Sequence, residues 1–96
     1  MLEPKEYLSD DLSLFLKTYL RSSDYKKARK QCAESPSEGI IKAVIRQERT
    51  ATDYTIPYIE NLIIIAAKKR VETNPVFDRV LREHNDIINR YRLWQN

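Results

Sequence analysis

The sequence has few of the residue types from which most enzyme and metal sites are built. It contains one cysteine, one histidine and one glycine among 96 residues. Cys32 has no partner for an internal disulfide, which is typical of a protein from a reducing compartment. Cys32 and His84 are also too few ligands for a structural zinc site. Gly39 alone excludes the phosphate-binding loops of nucleotide-binding proteins, since those loops need several glycines.

Long apolar runs are also missing. The longest covers residues 62–67, far short of the roughly 20 residues that span a bilayer, so we expect no transmembrane segment. The first residues include two acids, Glu3 and Glu6, and no apolar stretch, so we expect neither a secretory signal nor a mitochondrial presequence. With 42% hydrophobic and 32% charged residues, the composition indicates one globular domain over residues 1–96.

Apolar residues recur at spacings of three and four along most of the chain, which predicts helices. The predicted helices span about 5–22, 25–34, 36–50, from a cap within 52–55 to about 71, and from 75 onward. Ser35, Pro36 and Glu38 have the order of a capping box, which predicts that the third helix begins at Pro36. The fourth is apolar on nearly all sides, so we expect it to be central, with Ile64 in the core. The pattern therefore predicts an all-α fold, an antiparallel bundle of four to five helices.

Catalysis has little support in the sequence. His84 lies on the apolar stripe of the last predicted helix, which favours a structural histidine over a catalytic base. Cys32 lies on the inward side of a basic helix and is predicted to be a small buried side chain. No nucleophile, base and orienting group can be assembled. We expect a protein that is not an enzyme and that has no metal and no cofactor of its own.

Basic residues cluster on the first and third predicted helices. Lys42, Arg46 and Arg49 follow one another at spacings of four and three, so they align on one helix face. Lys17 and Arg21 form a similar pair on the first helix. If these two helices pack side by side, the five cations form a positive groove above an apolar seam. Such a groove suits an acidic helical protein, an acyl-phosphopantetheine carrier or a phosphate backbone.

Several segments add a resemblance to this pattern. Residues 15–21, FLKTYLR, are similar to the LYRxLLR start of the LYR-motif proteins, a family of small basic helical proteins of mitochondria. Further on, Ile45-Arg46, Thr52-Asp53 and Pro57 before an apolar helix resemble the second half of the same fold. Residues 82–91 are similar to the tail of the family's accessory subunit of respiratory complex I. The resemblance covers residues 15–91.

The resemblance implies a non-catalytic adaptor or accessory subunit. Proteins of this family bind the mitochondrial acyl carrier protein, whose acyl-phosphopantetheine arm inserts between the helices. The resemblance further implies that this protein belongs to a larger respiratory or iron-sulfur assembly on the matrix side of mitochondria. Transferred to this chain, the partner-binding residues are Phe15, Leu16 and Tyr19 at the mouth of the acyl channel, and Lys17, Arg21, Lys42, Arg46 and Arg49 facing the carrier.

Two other functions stay open from the sequence alone. A net charge of +3 and a pI near 9.1 also fit a small nucleic-acid-binding regulator, although acids are scattered among the bases. The length and composition fit an immunity-type helical bundle that binds a toxin or receptor equally well. Both alternatives predict a cytoplasmic protein.

Overall fold

The structure is a computed structural model that describes residues 2–30, 36–69 and 75–89. The five main helices are α1 (Asp10–Tyr19), α2 (Ser22–Lys30), α3 (Glu38–Ile45), α4 (Ile56–Lys69) and α5 (Pro75–Glu83). A short helical stretch over 85–89 follows α5. Over the described ranges the chain forms helices, turns and loops without any strand, so the predicted all-α bundle is confirmed.

The first helix is shorter than its apolar stripe predicts. Ser9 is the N-cap, because its Oγ atom accepts a hydrogen bond of 3.2 Å from the Leu12 N–H group. Asp10 and Asp11 then occupy the first turn, where the positive end of the helix dipole favours carboxylates. Leu8 is buried although it precedes the helix. The residues before Ser9 therefore contribute to the core without being helical.

The third helix differs from its prediction at both ends. It begins at Glu38, with Ser37 as the N-cap, because the Ser37 Oγ atom accepts a hydrogen bond from the Ile40 N–H group. Pro36 is buried and precedes the helix, so the predicted start at Pro36 is wrong by two residues. The predicted end near 50 is also wrong, since the helix ends at Ile45.

The end of α3 is a Schellman motif with an unusual residue in it. The Glu48 N–H group donates to the Ala43 carbonyl at 2.9 Å, and the Gln47 N–H group donates to the Val44 carbonyl at 3.0 Å. Gln47 has φ 63°, the left-handed conformation for which glycine is the usual choice. The helix ends here because Gln47 adopts this conformation. The sequence gives no sign of the end, since no glycine occupies the position.

The core is shared between α4 and α1. The α4 side chains Ile59, Leu62 and Ile63 are fully buried, and α4 contacts α1 and α2. However, α1 contacts α3, α4 and α5, so the prediction of α4 alone as the central element is incomplete. Ile64 is only partly buried, which corrects its placement in the core.

Contacts between α1 and α5 show that these helices run antiparallel. Arg79 forms an ion pair with Asp11, while Phe77, half a turn earlier on α5, contacts Phe15 further along α1. Within the described part of the chain, no helix is both long enough and apolar enough to cross a membrane. Some residues used in the sequence-based predictions lie outside the described residues: Cys32, Ser35, and residues 90 and 91 of the segment 82–91.

Candidate partner-binding surface

The surface of α2 is the most basic part of the described structure. Residues 17–30 contain six bases and one acid, whereas residues 2–16 contain one base and four acids. Four of those six bases are exposed on α2, and they are Lys26, Lys27, Arg29 and Lys30. The single acid, Asp24, is buried. Positive charge therefore dominates what α2 presents to solvent.

The first and third helices pack against each other, and their contacts give their relative direction. The Gln47 side chain donates to the Leu8 carbonyl at 2.8 Å, and Ser13 Oγ donates to the Ile45 carbonyl. The residue numbers rise from Leu8 to Ser13 while those of their hydrogen-bond partners fall from Gln47 to Ile45, so the two helices are antiparallel. Lys17, one turn beyond Ser13, is consequently level with the turn of α3 that holds Lys42.

One cation of α3, Lys42, lies beside α2. The Nζ atom of Lys42 is 5.3 Å from the centroid of the Tyr25 ring, within the range of a cation–π interaction. Burial raises the pKa of Tyr25, and the positive charge of Arg46 partly opposes that rise. Arg46, the C-cap of α3, follows Lys42 by about one helical turn. Tyr25 therefore marks the place where α3 brings Lys42 to the basic helix.

Arg21 lies at the junction between α1 and α2. Its N–H group donates to Asp24 Oδ2 at 2.8 Å, and its side chain is exposed one turn before Tyr25. We name Lys17, Arg21, Lys42 and Arg46 the basic face.

The ion pairs that these cations make within the chain are weak. Lys42 Nζ lies 4.0 Å from Glu38, and Arg46 Nε lies 2.8 Å from Glu48. The arginine and its glutamate each keep 56% of their side-chain surface exposed. Exposed pairs of this kind contribute only about 0–1 kcal/mol. A carboxylate or phosphate from another molecule can therefore replace Glu38 or Glu48 at little cost.

Arg49 does not join the basic face. It follows the left-handed turn at Gln47, which lies beside Leu8, and Ala51 donates its N–H group to the Glu6 carbonyl. The chain around Arg49 thus lies at the N-terminal end of α1, and Lys17 lies at the opposite end. The regular spacing from Arg46 to Arg49 predicts one face only if α3 continues, and it ends at Ile45.

The three predicted channel residues of α1 lie in or against the core, and the two aromatic ones face α5. Phe15 and Leu16 have 0% of their surface exposed, and Tyr19 is partly buried. The ring centroid of Phe77 is 5.3 Å from that of Phe15 and 5.7 Å from that of Tyr19. These aromatic residues pack on α5, whereas Ser13 marks the side of α1 that faces α3. The structure thus places the aromatic residues and the cations on different sides of the helix.

Sequence reasoning missed the contact of Tyr25 with Lys42. A ring beneath Lys42 depends on how α2 meets α3. Helical spacing describes one helix at a time and carries no signal of that meeting. The basic cluster of α2, by contrast, is plain in the sequence.

In the described ranges, no three His, Cys, Asp or Glu side chains come together as metal ligands would. The sequence matches no model of a known protein family and no curated protein, and no solved structure matches the chain. Functional assignment therefore depends on the geometry of the basic face.

Proposed function

We propose that this protein is a non-catalytic helical adaptor whose basic face binds an acidic partner protein. The observation that carries the proposal is the position of Lys42 over the Tyr25 ring, next to the exposed cations of α2. Such a surface attracts a protein with a row of carboxylates, because complementary charge raises the association rate and fixes orientation.

Within this proposal, the partner is an acyl carrier protein in a mitochondrial respiratory or iron-sulfur assembly. The support is the resemblance of residues 15–91 to LYR-motif proteins together with the positive charge of α1, α2 and α3. A carrier also presents the phosphodiester of its acyl-phosphopantetheine arm, which adds an anion for the same lysines and arginines. Since Phe15 and Leu16 are fully buried, recognition is assigned to the cations, with any insertion of the acyl chain as a later step that parts the helices.

The test is a binding titration with a purified holo acyl carrier protein at low salt. Lys17→Glu combined with Arg46→Glu reverses two charges of the basic face, and we expect affinity to fall by about 30-fold or more. Both side chains are exposed, so circular dichroism should show unchanged helicity. The matched control is Lys5→Glu with Arg82→Glu, which makes the same change in net charge at two exposed positions elsewhere and should leave affinity within about 3-fold.

Three results would overturn the proposal. One is equal loss of binding in the two double variants, because net charge alone would then explain it. Another is the absence of carrier binding by the unaltered protein. The third is tighter binding to duplex DNA than to the carrier, with an affinity that falls steeply with salt, as expected of a nucleic-acid-binding regulator.

A further inference from the structure

A cavity of about 420 Å³ lies between the N-terminal segment and the end of α5. None of the residues predicted to bind a partner lines it. Its volume falls within the range of roughly 300–1,000 Å³ found for small-molecule sites. The cavity is therefore separate from the basic face and large enough for a ligand of its own.

Main-chain hydrogen bonds hold the wall of this cavity in place. The Lys5 N–H group donates to the Ala51 carbonyl at 2.7 Å, and the Ala51 N–H group donates to the Glu6 carbonyl at 2.8 Å. Lys5 itself has φ 69°, a left-handed conformation that turns the chain sharply. Glu3 and Glu6, on either side of this turn, both line the cavity, so two carboxylates border it.

The floor of the cavity is apolar and its rim is anionic. Leu8, Leu12 and Ala51 line it and are buried, whereas Glu3 and Glu6 are exposed. A ligand that matches both parts needs a short hydrocarbon portion and a positive charge. Carboxylates form their strongest hydrogen bonds with charged donors.

His84 adds a buried polar group to the same lining. Its side chain is 5% exposed, and its Nδ1 atom has no hydrogen-bond partner among the described residues. Burial lowers the pKa of His84, against the opposing charges of Glu83 and Asp86. The imidazole is therefore neutral near pH 7, and a neutral imidazole has one nitrogen that accepts a hydrogen bond. Buried polar atoms are nearly always paired in folded proteins.

We propose that this cavity binds a small organic cation, an ammonium ion that carries a short alkyl chain. The alkyl chain contacts Leu8, Leu12 and Ala51. The ammonium group donates hydrogen bonds to the carboxylates of Glu3 and Glu6, and a further N–H reaches Nδ1 of His84. An organic cation is favoured over a metal ion because the apolar lining of Leu8, Leu12 and Ala51 contacts an alkyl chain, which a metal ion does not have.

The test uses the full chain and n-pentylammonium chloride, followed by calorimetry and by amide and imidazole chemical shifts. We expect saturable binding, with shifts at residues of the cavity and a change in the His84 Nδ1 resonance. Two probes with the same chain length separate the contribution of the charge from that of the alkyl chain. The neutral 1-pentanol should bind at least about 10-fold more weakly than pentylammonium, and the anionic pentanoate should not bind. Equal binding of the alcohol, or no binding of the ammonium ion, would overturn the proposal.

Two double variants, each of which removes two carboxylate charges, provide the second test. Glu3→Gln with Glu6→Gln keeps the side-chain size at two exposed positions, and we expect affinity for pentylammonium to fall by about 10-fold or more. Glu38→Gln with Glu48→Gln removes the same charge from α3 and the turn that follows it, away from the cavity, and should leave affinity within about 2-fold. If both double variants bind equally well, the carboxylates of the rim do not recognise the cation and the proposal fails.

Discussion

Lys69, the last residue of α4, forms an ion pair with Asp24 of α2, 45 residues earlier in the chain. The Asp24 side chain is 1% exposed and that of Lys69 is 35% exposed. Asp24 Oδ2 also accepts the N–H group of Arg21. One buried carboxylate thus joins the start of α2 to the end of α4, and it holds the basic helix in its place on the core.

Replacing Asp24 with asparagine should destabilise the fold. The variant keeps the side-chain shape but loses the negative charge that pairs with Lys69. Because Lys69 is partly solvated, we expect a loss of about 2 kcal/mol in the free energy of unfolding. Urea denaturation measures it. Asp53→Asn, at an exposed position, is the control and should change the free energy of unfolding by less than about 0.5 kcal/mol.

The same carboxylate should make stability depend on pH in the acid range. Burial alone would raise the pKa of Asp24, but the hydrogen bond and charge of Lys69 and the N–H group of Arg21 outweigh it and lower the pKa below 3.8. The unfolded chain then binds a proton more readily than the folded chain, so stability falls as pH falls below about 4. Denaturation midpoints at pH 6, 4 and 3 should drop less in Asp24→Asn. An identical drop in both proteins would contradict this.

His84 should contribute a second pH dependence at higher pH. Burial holds the pKa of His84 below 6.5, so the unfolded chain takes up a proton on this residue first. Its contribution is complete above about 6.5 and is lost as pH falls through the folded-state pKa. Nuclear magnetic resonance titration of the imidazole should give a midpoint below 6.5. A midpoint above 6.5 would mean that the ring is not held neutral by its surroundings.

Several helices and much of the core could be predicted because apolar spacing reports directly on burial. Leu12, Phe15 and Leu16 follow helical periodicity and are all buried. The ends of the helices could not be predicted in the same way. Lys5 and Gln47 adopt positive φ angles although neither is glycine, and these conformations are fixed by contacts from distant parts of the chain.

The candidate site, like the fold, could be predicted only in part. The sequence shows that Lys42 and Arg46 share a helix face, because four residues make about one turn. It does not show that Phe15 and Tyr19 pack against Phe77. An apolar helix face can be buried by any neighbouring helix, and the sequence does not say which one. Which helix covers which face depends on tertiary packing, so the pairing of cations with an aromatic channel stays a prediction based on resemblance alone.

Adjacent residues of α4 should respond very differently to the same substitution. Ile63 is fully buried, while Ile64 is partly buried. Ile63→Asp would place an unpaired carboxylate in the core. The free-energy cost of burying that charge exceeds the free energy of unfolding of most small domains. We expect circular dichroism to show an unfolded Ile63→Asp protein and a folded Ile64→Asp protein with a lower melting temperature. Unfolding of both variants to the same extent would show that Ile64 is as deeply buried as Ile63.

Gln47 should reveal the cost of a left-handed residue at the end of α3. Its side-chain nitrogen donates to the Leu8 carbonyl and to Asp10 Oδ1, each at 2.8 Å, so the side chain gains bonds while the backbone is strained. Gln47→Ala loses both bonds and keeps the strain, whereas Gln47→Gly loses both bonds and relieves it. We therefore expect the glycine variant to be more stable than the alanine variant by about 1 kcal/mol.

Comparison with the unaltered protein then separates the two effects. If the hydrogen bonds to Leu8 and Asp10 stabilise the fold more than the strain destabilises it, Gln47→Gly is less stable than the unaltered chain in urea denaturation. At about 1 kcal/mol for each net bond, the partly exposed pair should outweigh the strain, so we expect the order of stability glutamine, then glycine, then alanine. An alanine variant at least as stable as the glycine variant would contradict the left-handed conformation itself, because alanine is the more stable of the two only where φ is negative.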